Sequence, residues 1–216
     1  SPVKNVTLTA RLFDSNNQVI DTLIQQASLG VLLVGRRSPV HIMLLDKERA
    51  SRVKSYDLSI TSFEYTTSKP ESLEILWESW YIINATNNIM VAGEIVNNGE
   101  NKTNGVKVLA TFHNKENQVV ASSATYFREL DFGESTEFQI EFPFANIASL
   151  ISHYTLTAES LEYAVKAEFE RSIEQPQPQN PDYTYLIYYL IIVLIGIFLG
   201  GVLFLNRRRK RGIQRR

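Results

Sequence analysis

The segment 183–205 contains no charged residue over 23 positions. At a rise of about 1.5 Å per residue, a helix of this length spans roughly 34 Å, which is enough to cross a hydrocarbon core of about 30 Å. A buried helix of a globular core is the alternative, but such helices rarely run this long without a polar face. The sequence therefore predicts one C-terminal transmembrane α-helix at 183–205.

A basic tail, 206–216, follows the uncharged segment directly. It carries seven cations and no acid, and cations beside a membrane span stay on the cytoplasmic side. Four tyrosines cluster at the other end of the span, where aromatic rings favour the interface between lipid and water. We expect a single-pass protein of the cell membrane whose N-terminal region is extracytoplasmic and whose tail is cytoplasmic. The residues that set this topology are Arg207, Arg208, Arg209, Lys210 and Arg211.

The composition of the remaining chain excludes several functions. Seven of the 22 Lys and Arg residues lie in the tail, so the outer region has 15 cations against 23 acids. A net acidic region does not fit nucleic-acid binding, which needs a basic surface. The chain has no cysteine, which excludes disulfides, a cysteine nucleophile and zinc–thiolate sites.

The outer region contains two copies of one pattern. Its first blocks repeat at an offset of 100 and its later blocks at an offset of 98. Self-similarity of this kind marks repeated structural units. The matched pairs are Val6/Val106, Ala10/Ala110, Leu12/Phe112, Asn17/Asn117, Gln18/Gln118, Val19/Val119, Ile20/Val120, Val34/Phe132, Gly35/Gly133, Val40/Phe138, Ile42/Ile140, Tyr56/Tyr154, Leu58/Leu156, Ser62/Ser160, Glu64/Glu162 and Tyr65/Tyr163.

Both copies have the pattern of β-structure. Runs such as 137–142 and 154–158 alternate polar and apolar residues, which places one strand face on a core and the other in water. Turn residues at 97–99, 114–117 and 131–134 separate the runs. Many short strands at this spacing predict two-sheet sandwiches. The one weakly helical stretch is 144–152.

The second copy begins with two runs, 73–83 and 89–96, whose counterparts would fall before Ser1. The first copy thus lacks its opening strands, and an incomplete sandwich exposes a sheet edge and an apolar face. We therefore expect the natural polypeptide to extend upstream of Ser1. The predicted organisation is a truncated repeat at 1–68, a complete repeat at 69–171, a spacer at 172–182, the span at 183–205 and the tail at 206–216.

One ordered set of motifs carries a resemblance to a known family. Gly93-Glu94-Ile95-Val96-Asn97-Asn98, the strand 106–112, Asn117-Gln118-Val119-Val120 and Leu130-Asp131-Phe132-Gly133-Glu134 stand in this order, followed by Phe138. Together they resemble the FxLYD domain over about 71–165, and less closely over 3–67. Gln118 stands where the family often has Gly, and Phe132 where it often has Pro.

The resemblance implies two tandem immunoglobulin-like β-sandwich modules, of the kind found in prokaryotic, including archaeal, membrane-anchored envelope proteins. It carries no catalytic residue to this chain. The residues themselves agree. His41, His113 and His153 do not recur between the copies, and none stands at the spacing of a metal-binding motif. We therefore expect neither an enzyme nor a bound cofactor or metal.

A few positions are candidates for contacts or modification. Trp77 and Tyr81 are expected to share a strand face with Ile75, and Trp80 to lie on the other face as core, as packing between modules or as an anchor for a protein partner. Gly196 and Gly200 form a G-x-x-x-G pair that allows homodimerisation of the span. Three sequons offer N-glycosylation sites at Asn5, Asn84 and Asn101.

The Pro-rich segment 172–182 predicts an extended spacer that lifts the modules away from the membrane. The favoured function is a non-catalytic surface protein that presents β-sandwiches for protein interaction or envelope architecture. Two alternatives remain open. One is an accessory subunit of a membrane transporter or enzyme complex, and the other is the stalk and anchor of an enzyme whose catalytic domain lies upstream of Ser1.

Overall fold

The computed structural model describes residues 1–83, 85–86, 88–142 and 145–173. Over these residues the chain is mostly β and forms two sheets, so the prediction of a mostly-β fold with sandwich-like sheets is confirmed. The predicted span at 183–205 and the tail at 206–216 lie outside the described residues. Most of the spacer lies outside them as well.

The first module is a four-stranded antiparallel sheet within the described residues. It consists of β1 (Val3–Phe13), β2 (Val19–Gln26), β3 (Val31–Leu32) and β4 (Ser55–Tyr65). Strand β1 is central and pairs with the other three. A short helix, α1 (Lys47–Arg52), precedes β4, and the Asp46 side chain caps it by accepting from the Arg49 N–H at 3.0 Å. This helix was not predicted from the sequence.

The second module contains the remaining strands. They are β5 (Glu71–Ile83), β6 (Asn88–Asn97), β7 (Thr103–His113), β8 (Val119–Leu130), β9 (Ser135–Phe142), β10 (His153–Glu159), β11 (Ala164–Val165) and β12 (Phe169–Ser172). A 3₁₀ turn (Ala145–Leu150) stands where sequence predicted weak helicity. The strand order is β8-β7-β10-β11-β5-β6-β9, with β12 paired to β10. The β8-β7-β10 part therefore faces the β5-β6-β9 part across one core.

Residues from both halves of this sheet build the core. Its largest fully buried side chains include Tyr154, Phe112, Phe138 and Phe142. The ring of Phe112 packs against those of Phe142 and Tyr154, with centroid distances of 4.9 Å and 6.1 Å. Gly93 on β6 is required there, because a Cβ at this position would lie 2.5 Å from Cζ of Phe138.

A bulge in β5 decides which of its side chains enter the core. The pairing with β6 shifts register between Ile75 and Trp77, so Glu78 is buried while Trp77 is exposed. The prediction that Trp77 shares the face of Ile75 is therefore wrong, because an extra residue in one strand reverses the alternation beyond it.

Matching turns show how closely the two copies agree. Asn17 and Asn117 both have positive φ, at 58° and 60°. Just before them, Oδ1 of Asp14 and Oδ1 of Asn114 each accept from two backbone N–H groups of the turn. Short polar side chains tolerate and stabilise such a turn.

Candidate functional site

The two modules meet through a carboxylate of β10. Oε1 of Glu159 accepts from the Gly30 N–H at 2.6 Å, and Oε2 accepts from the Val31 N–H at 3.3 Å. Nζ of Lys69 lies 3.6 Å from the same carboxylate. Lys107 also donates to the Ser28 carbonyl oxygen. The loop around 28–31 is thus held to the second module by charged side chains that bind its backbone.

Arg36 forms a second link across this junction. Its guanidinium donates to the carbonyl oxygens of Val165 and Lys166 at 3.0 Å and 3.2 Å. It also lies 3.5 Å from Glu168 and 3.8 Å from Glu71. Because the donors of a guanidinium form a rigid fork, one Arg can bind several acceptors and fix an orientation.

A cleft of about 700 Å³ opens beside Arg36. One wall is the loop that leads from β3 to Pro39, and the other is formed by β7, β10 and β12. Positively charged side chains, carboxylates and two imidazole rings line the cleft. The residues that give it this character are Arg36, Arg37, His113, His153, Glu168 and Glu170.

His113 and His153 stack inside this cleft. Their ring centroids are 4.8 Å apart and their planes are inclined by 6°. Nε2 of His113 lies 3.4 Å from Oγ1 of Thr155. Burial, followed by the electrostatic effect of His153, holds the pKa of His113 below its ordinary value of 6.5. His113 therefore stays neutral at neutral pH.

His153 has the more polar surroundings of the two. Its Nδ1 lies 2.8 Å from Oγ of Ser152, and its Nε2 lies 3.3 Å from Oδ1 of Asn117. Nε2 is also 3.8 Å from Glu170, which pairs with it when the ring is protonated.

The stacking of these two histidines was not predicted from the sequence. Phe13 and Ser55 are their counterparts in the first module, and the strand register pairs the two positions in each copy. His41 lies elsewhere, with Nε2 at 3.0 Å from Oγ of Ser122 on β8. Among the described residues, no group of three or more His, Cys, Asp or Glu side chains could hold a metal ion.

Trp80 and Trp77 flank the buried Glu78. Trp80 is half-buried and packs against the core of the second module. Trp77 is the more exposed ring, and its Nε1 donates to Glu94 at 2.9 Å. A contact between Trp80 and a protein partner stays a prediction.

Two of the three predicted glycosylation sites are described. Asn5 is exposed on β1 with φ 54°, and its side chain donates to Glu64 at 3.0 Å. Asn101 is exposed in the turn between β6 and β7. Asn84 lies outside the described residues, as do Gly196, Gly200 and the basic residues 207–211. No helix among the described residues has the length and apolar character that a bilayer crossing needs.

Comparison with known proteins finds no matching family and no similar curated protein. Solved structures similar to the chain include three β-glucuronidases, each with a TM-score of 0.35. A β-glucuronidase from glycoside hydrolase family 2 is 13% identical over 47% of this chain and 12% of its own. Bacteroides uniformis β-glucuronidase 2, covalently bound to cyclophellitol-6-carboxylate aziridine, is 9% identical, and Bacteroides uniformis β-glucuronidase is 8% identical.

Each of these last two alignments covers 79% of this chain and 24% of the other chain. The chain therefore spans less than a quarter of the length of the glycosidases that it resembles. Similarity at this level gives no information about activity.

Proposed function

We propose that this chain is a single-pass, membrane-anchored protein that presents two β-sandwich modules of immunoglobulin-like, FxLYD-type architecture on the cell surface. Its role is non-catalytic, in protein interaction or envelope architecture. The observation that carries the proposal is the uncharged segment 183–205 followed directly by the basic tail 206–216.

The junction between the modules supports a presenting role. Glu159 and Arg36 bind backbone atoms across it, so the modules are held in a defined relative geometry. A presented surface benefits from such rigidity, because fewer conformations are lost when a partner binds.

The absence of cysteine makes the topology easy to test. In one variant, the exposed turn residue Lys115 is replaced by cysteine, and in another the tail residue Ile213 is replaced. A membrane-impermeant maleimide is then applied to intact and to permeabilised cells. We expect Lys115→Cys to react in intact cells and Ile213→Cys to react only after permeabilisation.

The unchanged cysteine-free chain is the matched control and gives the background signal. Reaction of Ile213→Cys in intact cells would overturn the topology, and so would protection of Lys115→Cys there. Recovery of the full chain in the soluble fraction, without detergent, would overturn the anchor.

A further inference from the structure

The outer face of β4 is apolar and open, although the same residues are buried in the second module. Tyr56 is 72% exposed, whereas its counterpart Tyr154 is fully buried at 0%. Leu58 is 45% exposed, whereas Leu156 is again at 0%. Side chains that form a core in one copy therefore face solvent in the other.

Three strands cover this face in the second module. Strands β5, β6 and β9 contribute Leu73, Ile75, Val91, Ile95 and Phe138 to the cluster that contains Tyr154 and Leu156. Strand β9 joins through β6, with which it pairs over eight positions. Its place in the sandwich therefore depends on β6.

The counterpart of β9 in the first module is the segment 40–44. Val40 and Ile42 match Phe138 and Ile140, and burial alternates along the segment, with His41 and Met43 exposed. This is the pattern of a strand, yet the segment forms none in the structure. No counterpart of β6 lies among the described residues to pair with it.

We propose that the open face of the first module binds a two-stranded β-hairpin of the same kind as β5–β6. One strand of the hairpin pairs with 40–44 and makes it a strand, while its alternating apolar residues cover Tyr56, Leu58 and Ile60. In the second module the corresponding hairpin, β5–β6, leads into β7 through residues 98–102.

A hairpin would satisfy more of the exposed groups of the first module than a second copy of the chain would. Packing of two open faces against each other would cover the apolar side chains of β4. It would leave the backbone of 40–44 without a partner strand. Strand addition supplies both the apolar cover and the backbone hydrogen bonds.

The chain itself provides the probe for a test. Its residues 71–102 are placed as a second copy ahead of Val3 in the full-length protein, so that the connection matches that of the second module. A copy of Glu78 then faces Tyr56, as Glu78 faces Tyr154 now. The readout is hydrogen–deuterium exchange, followed by mass spectrometry of peptides from 38–45 and 55–65.

The expected result is at least about tenfold slower exchange in both peptides. In the matched control graft, the copies of Val91 and Ile95 are replaced by Asp, and we expect no slowing. Equal slowing by both grafts would overturn the proposal. Slow exchange of 38–45 in the chain without a graft would also overturn it, because the segment would already have a partner.

A second experiment tests the proposal in case the grafted chain does not fold. The hairpin 71–102 is then added as a separate peptide to the unaltered full-length protein. Saturable slowing of exchange in 38–45 supports the proposal, and no slowing at any concentration overturns it. Concentration-dependent protection of 55–65 alone, with 38–45 still fast, identifies a second copy as the occupant and overturns it too.

Discussion

Glu159 binds the backbone N–H of Gly30 across 129 positions of sequence, at 2.6 Å. The same carboxylate also accepts from the Val31 N–H, so two backbone donors of the first module converge on one side chain of the second. Hydrogen bonds to an ionised acceptor are stronger than those between neutral groups. This carboxylate therefore contributes to the orientation of the two modules.

Replacement of Glu159 by Ala should loosen the junction without unfolding either module. The Gly30 and Val31 amides then lose their acceptor, and we expect faster hydrogen exchange in a peptide covering 28–33. Glu137→Ala, an exposed change on β9, is the control. Unchanged exchange at 28–33 in the Glu159 variant would show that other contacts hold the junction.

A buried carboxylate, Glu78, lies beside the core of the second module. Glu78 accepts from Tyr154 Oη, and Nε of Arg171 donates to it at 2.7 Å. Burial, and then the hydrogen bond to Glu78, raise the pKa of Tyr154, so the phenol keeps its proton and remains a donor.

Arg171→Ala should destabilise the second module, since it leaves the Glu78 carboxylate buried with one neutral donor. We expect a lower free energy of unfolding, because the buried carboxylate loses its charged partner. Urea denaturation of the full chain in mild detergent measures it, because both tryptophans lie on β5 beside Glu78. Arg128→Ala is the control, since its side chain is 94% exposed. Equal midpoints would show that solvent replaces Arg171 without cost.

The sequence predicted the strands and turns well, because these depend on local alternation and on residues such as Asn17 and Asn117. The prediction of which side chains face the core was less accurate where one extra residue shifts the alternation of a strand. The bulge after Ile75 reverses the faces of β5, and no local signal in that run marks it. Helix α1 was missed because six residues are too few for a period to show.

The junction and its cleft were not predicted for a different reason. They depend on how the two modules are placed relative to each other, and the repeat pattern contains no information about that placement. Glu159 looks like any polar residue at the end of a strand. The pairing of His113 with His153 likewise depends on the strand register, which the offsets between the copies do not contain.

The stability of the second module should fall in mild acid. The pKa of His113 is lowered by burial and by His153, with a smaller effect of Arg37 in the same direction and an opposing one of Glu170. As pH falls below about 6.5, the unfolded chain takes up a proton that the folded chain does not. The free energy of unfolding then decreases until the pH reaches the lowered pKa.

His113→Phe tests this pH dependence, because Phe13 occupies the same position in the first module. We expect the fall in urea midpoint between pH 7 and pH 5 to become smaller than in the unchanged chain, as one proton-uptake site is lost. His41→Phe is the control, since His41 lies outside the stacked pair. An identical pH profile for His113→Phe and the unchanged chain would contradict the assignment.

Asn97 closes one end of the second sandwich. It is fully buried, and its Nδ2 donates to the carbonyl oxygens of Asn101, Leu130 and Asp131 at 2.9–3.3 Å. Its Oδ1 accepts from the Gly99 N–H at 2.9 Å. One amide therefore holds the turn that enters β7 against the end of β8.

Asn97→Ala should cost about 2 kcal/mol in the free energy of unfolding, because it leaves buried backbone groups without their partner. Asn98→Ala is a matched control from the neighbouring position, since Asn98 is exposed and its side-chain amide donates to Oε2 of Glu74 at 2.7 Å. We expect that control to shift the urea midpoint far less. Similar shifts for both variants would mean that water reaches the turn and replaces the Asn97 amide.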